Sequence, residues 1–224
     1  MGCAIAVGGA TPRELQAIVG LFRQRENLFS RAREGSELNE VNEAAGSVVG
    51  VSPLLARAIG AALDAAQATG GLVDPTSGRW NDVRLLGRLV LVPAGVRLDL
   101  DRVARAAAVD DALQLLSGDG FVSAAGDVAA RGDVAVEIPG GGRVRVGRGG
   151  LSTSTGAQEG SPWVQVTAAA DSCLAAFTAA RAAFLLGADG PTWLDERGLP
   201  GRFVGPGTSV LTNRAWSSRL AHAA

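Results

Sequence analysis

Residues 98–127 constrain the fold more than any other stretch of the chain. Val96, Leu98 and Leu100 alternate, which predicts a strand. Val103, Ala106, Val109, Leu113 and Leu116 then recur at helical spacing, which predicts a helix over 102–116 with Asp101 as its N-terminal cap. A second strand follows and ends in Ala124-Ala125-Gly126-Asp127. A strand-helix-strand unit commits its neighbours to a sheet covered by helices. A helix start aimed at a Gly-Asp turn also suits an anion, because free backbone N–H groups and the helix dipole favour negative charge. Taken alone, the unit reads first as scaffold.

On either side the chain offers local signals of the same kind. Cys3, Ile5 and Val7 alternate up to Gly8-Gly9, a short half-buried strand. Thr11-Pro12-Arg13-Glu14 is a capping box with proline at the first helical position, and Leu15, Ile18, Val19 and Phe22 supply one apolar stripe after it. Residues 29–42 are polar, have little to bury apart from Leu38 and Val41, and predict a solvated loop with a helical turn. Ser52-Pro53 opens another helix, which Gly70-Gly71 ends. Asp74-Pro75-Thr76 predicts a turn in which the Asp side chain bonds backbone N–H groups.

Further along, residues 89–92 and 96–100 predict a hairpin across Pro93-Ala94-Gly95, and 134–138 with 144–146 a second one across Pro139-Gly140-Gly141-Gly142. That glycine run lacks a Gly-Lys-Ser/Thr ending and opens no helix, which argues against a phosphate cradle. Residues 151–156 read as a hydroxyl-rich loop, 163–166 as a strand, and 171–186 as a helix stopped by Gly187. Its Leu174, Phe177, Arg181, Phe184 and Leu185 lie toward one side. The region from Trp193 to Leu211 reads as loop and edge strands. This order is no regular βαβ alternation; it predicts an α+β fold of two similar halves, each a sheet packed on helices.

Composition narrows the chemistry. The 224 residues are 47% hydrophobic, enough for one large core or two fused small ones. Lys+Arg 21 against Asp+Glu 22 leaves a net charge of −1, which gives no electrostatic case for nucleic acid or an anionic membrane. Every basic residue is Arg, a composition bias that cautions against reading function into any single one. Cys3 and Cys173 have neither metal-pair spacing nor a disulfide framework, and Cys173 reads as core. The sole histidine, His222, falls in the terminal tail, so His-based zinc sites and Ser-His or Cys-His catalysis lack material. With no signal-type opening and no apolar run long enough for a bilayer, the expectation is a soluble cytoplasmic protein.

Several segments, in order, resemble the flavin transferase (ApbE) family, the FAD:protein FMN transferases. Met1-Gly2-Cys3 is similar to the family's opening Met-Gly-Thr. Phe29-Ser30 through Ser36-Glu37-Leu38 to Asn42 resembles its Phe-Ser…Ser-Glu-Leu…Leu-Asn segment, and residues 71–78 its Gly-x-Phe-Asp-Pro-Thr-x-Gly. Residues 98–110 are similar to Leu-Asp-Leu-Gly-Gly-Ile-Ala-Lys-Gly-x-Ala-Val-Asp, residues 122–128 to Val-Asn-Ala-Gly-Gly-Asp-Ile, and Thr153-Ser154 to Ala-Thr-Ser-Gly. The resemblance implies one ApbE-like domain over 1–224. It implies two fused tunnelling-fold-like halves, each a sheet packed on helices, with FAD in a cleft between them. It also implies a reaction in which FAD is split at its pyrophosphate and FMN moves to a Thr or Ser hydroxyl of an acceptor protein, with magnesium neutralising the phosphates. The cofactor-binding positions it implies are Gly2, Cys3, Glu37, Asp74, Thr76, Arg105, Asp110, Ser123, Gly126, Asp127, Thr153, Ser154 and Arg181; no catalytic residue is assigned.

The departures bear on activity. The family's metal-binding helix reads Ala-Asp-Ala-Leu-Ala-Thr-Ala at a fixed distance before a Gly. Counting back from Gly187, the gapless match is Ala176-Phe177-Thr178-Ala179-Ala180-Arg181-Ala182, which puts Phe177 at the ligand Asp and Arg181 at the ligand Thr. A ring cannot ligate magnesium and a guanidinium repels it, so no metal ligand is assigned. A rival register through Asp171 restores the Asp, still loses the Thr, and leaves extra helix before the Gly. The family's His-containing segment is missing around residues 158–163. Arg105 replaces a Lys, Ser123 an Asn and Ala125 a Gly. Three readings stay open: a divergent, shortened member impaired in FMN transfer that binds a flavin nucleotide (FAD or FMN) or a partner protein without magnesium; an active magnesium-dependent transferase; and a non-flavin interaction protein on the same fold.

Overall fold

Residues 3–139, 141–157 and 160–219 are described by the computed structural model of the chain. In chain order they form β1 (Ile5–Gly8), α1 (Pro12–Phe29), α2 (Glu37–Glu43), β2 (Val48–Gly50), α3 (Pro53–Ala68), β3 (Arg84–Leu86), β4 (Leu89–Leu91), α4 (Asp101–Leu113), β5 (Gly120–Ala124) and β6 (Asp127–Glu137). They continue with β7 (Arg143–Thr155), β8 (Gln165–Ala170), α5 (Cys173–Leu185), α6 (Gly190–Glu196), β9 (Gly201–Val204), β10 (Val210–Thr212) and α7 (Arg214–Arg219). Two compact units result: one holds Val19–Ala108, the other Cys3–Ile18 and the chain from Val109 onward. The fold is α+β, with a sheet in each unit. The sheets are unequal, three strands in the first unit and seven in the second. No helix among the described residues is long and apolar enough to cross a membrane.

In the three-stranded unit, helix signals read as local chemistry predicts. Ser52 accepts the Leu55 N–H at 3.1 Å, Pro53 starts α3, and Gly70 and Gly71 leave the helix with φ of 60° and 87°. Two expectations are corrected. The hairpin lies one strand earlier than predicted: β3 and β4 pair antiparallel, with Leu86 opposite Leu89 across Gly87 and Arg88. Residues 96–100 keep their buried alternation at Val96, Leu98 and Leu100 but join no sheet. The reason is Asn42, whose Oδ1 accepts the Leu98 N–H at 2.7 Å while its Nδ2 donates to the Leu98 carbonyl at 3.0 Å. A side chain has taken the bonds a neighbouring strand would have made.

Within residues 29–42, 31–35 form the exposed loop expected from the sequence, but the helical part is a capped and largely buried helix instead of a solvated turn. Ser36 caps α2 by accepting the Asn39 N–H at 3.2 Å, and Asn39 Nδ2 donates to the carbonyls of Arg31 (3.1 Å) and Arg33 (2.7 Å). Leu38, Asn39, Val41 and Asn42 are all buried. Polarity misled here because the amides bury themselves by bonding backbone. Helix α4 also takes in Asp101 as its first residue instead of using it as a cap, and Asp99 Oδ1 accepts the Asp101 N–H at 3.2 Å.

The larger unit opens with the capping box: Glu14 Oε2 accepts the Thr11 N–H at 2.7 Å, and Thr11 Oγ1 accepts the Glu14 N–H at 3.3 Å. Its sheet runs β1-β5-β6-β7-β8-β9-β10, antiparallel throughout. Ala125 and Gly126, with φ of 48° and 87°, make the tight β5–β6 turn. Residues 151–155 are the inner part of β7, paired with both β6 and β8, and not the predicted loop. Both faces of that strand are covered, so its hydroxyls sit where a solvent-facing alternation would have placed water. The strand predicted at 163–166 lies at Gln165–Ala170, and Trp193 belongs to α6.

On one face of this sheet Val166, Ala168 and Phe203 pack against Ala179, Ala180, Ala183 and Phe184 of α5. The helix stripe that meets the sheet is therefore mostly alanine, and the predicted Leu174–Arg181–Leu185 side lies outside it. Close approach is enforced at Gly150, where a Cβ would stand 2.2 Å from the Cys173 N. On the other face β6 and β7 run past their neighbours, bend at an irregularity between Arg131 and Val134, and fold back. There Val136, Ile138, Val144 and Val146 join Leu151, Ala169 and Trp216 in one core. The tip of this arm is latched: Arg202 donates to the Gly141 carbonyl at 3.0 Å and Gln165 to that of Pro139. Gly140, in the glycine run, lies outside the described residues, as do Gln158, Glu159 and His222.

Candidate functional site

In the larger unit, β-sheet register sorts the hydroxyl-rich segment onto two faces. Asp127 opens β6 directly opposite Ser152 of β7. Ser152 Oγ donates to Asp127 Oδ1 at 2.6 Å, and both are buried. Ser154 lies two residues on, on the same face, fully buried, and its Oγ has no hydrogen-bond partner. This face is the one that α5 covers. Thr153 points to the other face, where its hydroxyl bonds that of Thr167 at 2.9 Å, and its N–H donates to the Gly126 carbonyl at 3.1 Å. Ser123, opposite Val128, also points away from α5.

Helix α5 is positioned by Asp110 of α4. The Asp110 carboxylate accepts the Cys173 N–H at 2.7 Å and the Leu174 N–H at 2.9 Å, and Ser172 adds a cap to the Ala175 N–H at 3.1 Å. A carboxylate at a helix start answers the dipole. Burial nevertheless pushes the Asp110 pKa up, against the lowering effect of those two N–H groups. Further along α5, Phe177 is 2% exposed. Arg181 sits one turn later, half-buried, its guanidinium 5.8 Å from the Phe184 ring centroid. Burial lowers the Arg181 pKa. The Phe184 Cζ lies 3.5 Å from where a Cβ on Gly156 would stand, so this flank of the helix adjoins the end of β7.

Asp110, Gly126, Asp127, Thr153, Ser154 and Arg181 thus all belong to the larger unit. Asp127 and Ser154 lie under α5, Asp110 holds its start, and Arg181 lies further along it. Gly126 and Thr153 meet through the backbone, with the Thr153 side chain on the opposite face. Cys3, half-buried with a free thiol, precedes β1 in the same unit. Glu37, Asp74, Thr76 and Arg105 belong to the other unit. There Glu37 Oε2 accepts the Ser52 hydroxyl at 2.6 Å, fastening α2 to the cap of α3. Asp74 Oδ1 accepts the Thr76 N–H at 2.6 Å and its hydroxyl at 2.7 Å, the turn predicted for this segment. Arg105 lies half-buried on α4. Gly2 falls outside the described residues. Sequence reasoning missed Ser152 and Thr167; treating 151–155 as a strand would have paired Ser152 with Ser154 by alternation.

The resemblance implies magnesium, and the residues do not fit it. The ion demands oxygen ligands, whereas α5 offers a ring at Phe177 and a fixed positive charge at Arg181.

Residues 1–88 match the family model described as the ApbE family. Over almost its whole length the structure is similar to the flavinyl transferase ApbE of Pseudomonas stutzeri in its apo form, with a TM-score of 0.85 at 16% identity, covering 98% of each chain. The chain is ApbE-like. The ApbE protein of Thermotoga maritima matches with a TM-score of 0.81 at 20% identity over 96% of this chain and 93% of that one. The flavin transferase ApbE of Vibrio cholerae gives 0.84 at 17% identity over 97% and 96%. At these identities the likeness to the ApbE structures is one of fold. The sequence matches no curated protein. The ApbE family match stops short of α4, so the segments at 98–110, 122–128 and 153–154, and α5 itself, lie outside it.

Proposed function

We propose that residues 1–224 act as one ApbE-like domain that binds a flavin nucleotide, FAD or FMN, and is impaired in FMN transfer to an acceptor protein. One observation carries the loss: Phe177, buried on α5, occupies the position that the resemblance gives to a metal-ligating Asp, with Arg181 at that of the Thr. The rival register finds less support, because Asp171 is exposed and precedes the Ser172 cap, off the helix altogether. Phosphoryl transfer relies on positioning and on neutralising charge that develops on the phosphates. Without a dication the second of these is weakened, while binding of the nucleotide survives. Flavin binding is supported by the ApbE-like fold and by the buried Asp127–Ser152–Ser154 row, polar groups where a plain scaffold would bury aliphatics.

The test combines fluorescence titration with FAD and an FMN-transfer assay against a Ser- or Thr-bearing acceptor, with and without magnesium. Saturable FAD binding without flavin transfer is the expected result. Magnesium-dependent attachment of FMN, with release of AMP, would establish an active transferase. No saturable binding up to roughly millimolar FAD would leave a non-flavin interaction protein on this fold. The reading includes a cytoplasmic setting; it also includes no nucleic-acid or membrane partner, since a net charge of −1 offers neither a basic footprint.

A further inference from the structure

We propose that Arg181 does the work of a divalent cation in this chain: its guanidinium binds the diphosphate of the nucleotide directly, so that binding needs no metal. This rests on the flavin-nucleotide reading above. The first support is the state of the side chain. Arg181 is half-buried and packs over the Phe184 ring, and no carboxylate among the described residues pairs with it. A positive charge partly withdrawn from water without a counter-ion is unfavourable, and an incoming anion relieves it. Burial already lowers its pKa, the same strain seen from the proton's side.

Place is the second support. Phe177 and Arg181 stand one helical turn apart on a single flank of α5. That flank adjoins the end of β7 through Phe184 and Gly156. Two residues before Gly156 is Ser154, whose hydroxyl is fully buried and unpartnered. The arginine on α5 and the unused hydroxyl on β7 both lie toward this end of the strand, and each is a group that suits phosphate oxygens. Arginine presents a planar fork that takes two such oxygens at once. The Phe184 ring beside it shields one side of the guanidinium from water. A dication, by contrast, finds no oxygen at Phe177 or Arg181 and meets the guanidinium's charge.

A single guanidinium also explains why binding and transfer part company. The pyrophosphate diester of FAD carries about two negative charges, and Arg181 balances one. That suffices to hold the ground state but leaves the charge growing on the leaving phosphate without the stabilisation a dication gives.

Calorimetry of the full chain with FAD separates the outcomes. We expect equal affinity, within about twofold, in millimolar magnesium and in EDTA, and a loss of at least about tenfold in Arg181→Ala that magnesium does not restore. Arg181→Lys keeps the charge without the fork and falls between. The double variant Phe177→Asp/Arg181→Thr, which installs two oxygen ligands, should bind FAD at least about tenfold more tightly with magnesium than without. Wild-type binding that requires magnesium overturns this inference and leaves the flavin reading intact. An Arg181→Ala affinity within about twofold of wild type overturns it too, since the arginine is then only a packed stem with its head in water. No FAD binding in either condition removes both readings.

Discussion

Ser152 and Ser154 show how much two identical residues can differ. Both are fully buried on the same face of β7, yet Ser152 Oγ is bonded to Asp127 and Ser154 Oγ to nothing. An unsatisfied buried hydroxyl costs about 1–3 kcal/mol, so Ser154→Ala should stabilise the protein by about 1 kcal/mol, read as a higher urea midpoint. If Ser154 touches the nucleotide, the same variant binds FAD more weakly; Ser152→Ala should instead destabilise, by leaving the Asp127 carboxylate short of a donor. A Ser154→Ala protein less stable than wild type would show the hydroxyl to be satisfied. At this scale the sequence was informative where chemistry is intrinsic to the residue. Phe177 and Arg181 declare themselves non-ligands wherever they sit. Asp110 does not, because its role depends on α5 arriving beside it from more than sixty residues away in the chain, at 2.7 Å and 2.9 Å.

Elements whose signals are local were legible, and those with distant partners were not. The Thr11–Glu14 box and the Ser52-Pro53 start fall within one turn of the helices they begin. Residues 96–100 carry the right alternation for a strand but are answered by Asn42. Asn42→Ala strips two buried backbone groups of their partner at once and should cost about 2–4 kcal/mol by urea unfolding. A loss below about 0.5 kcal/mol would mean that the Leu98 backbone has another partner. Glu14 serves α1 and a loop together, since its Oε1 also accepts the Ser117 N–H at 2.9 Å. Hydrogen bonds from Thr11 and Ser117 hold its pKa at about 2, below the ordinary 4.5. Stability from this carboxylate is thus complete above pH 4.5 and drains away as pH falls toward 2. Glu14→Gln should flatten the stability curve across that window; an unchanged acid limb would show the bonds to be absent in solution. Asp110 acts in the opposite sense: with its pKa raised by burial, its ionisation costs stability as pH climbs past the ordinary 3.8.

For the whole molecule, the α+β class and the division into two sheet-bearing units could be read from the order of predicted elements. Their inequality could not. The three strands of the smaller sheet have only three residues each, too few for a periodicity to show, while β6 and β7 run 11 and 13 residues through a bend that breaks theirs. The larger unit is also discontinuous in sequence. Its first strand, β1, pairs with β5, Ile5 lying opposite Ala124, and Val19–Ala108 of the smaller unit are spelled out between them. On the ribosome, β1 therefore emerges long before any partner exists and waits until β5 has been translated. A pairing so remote is slow to close and leaves an unpaired edge in the meantime. Moving that strand to the far end of the polypeptide by circular permutation would change when the nascent chain becomes competent to fold, while leaving the finished sheet the same.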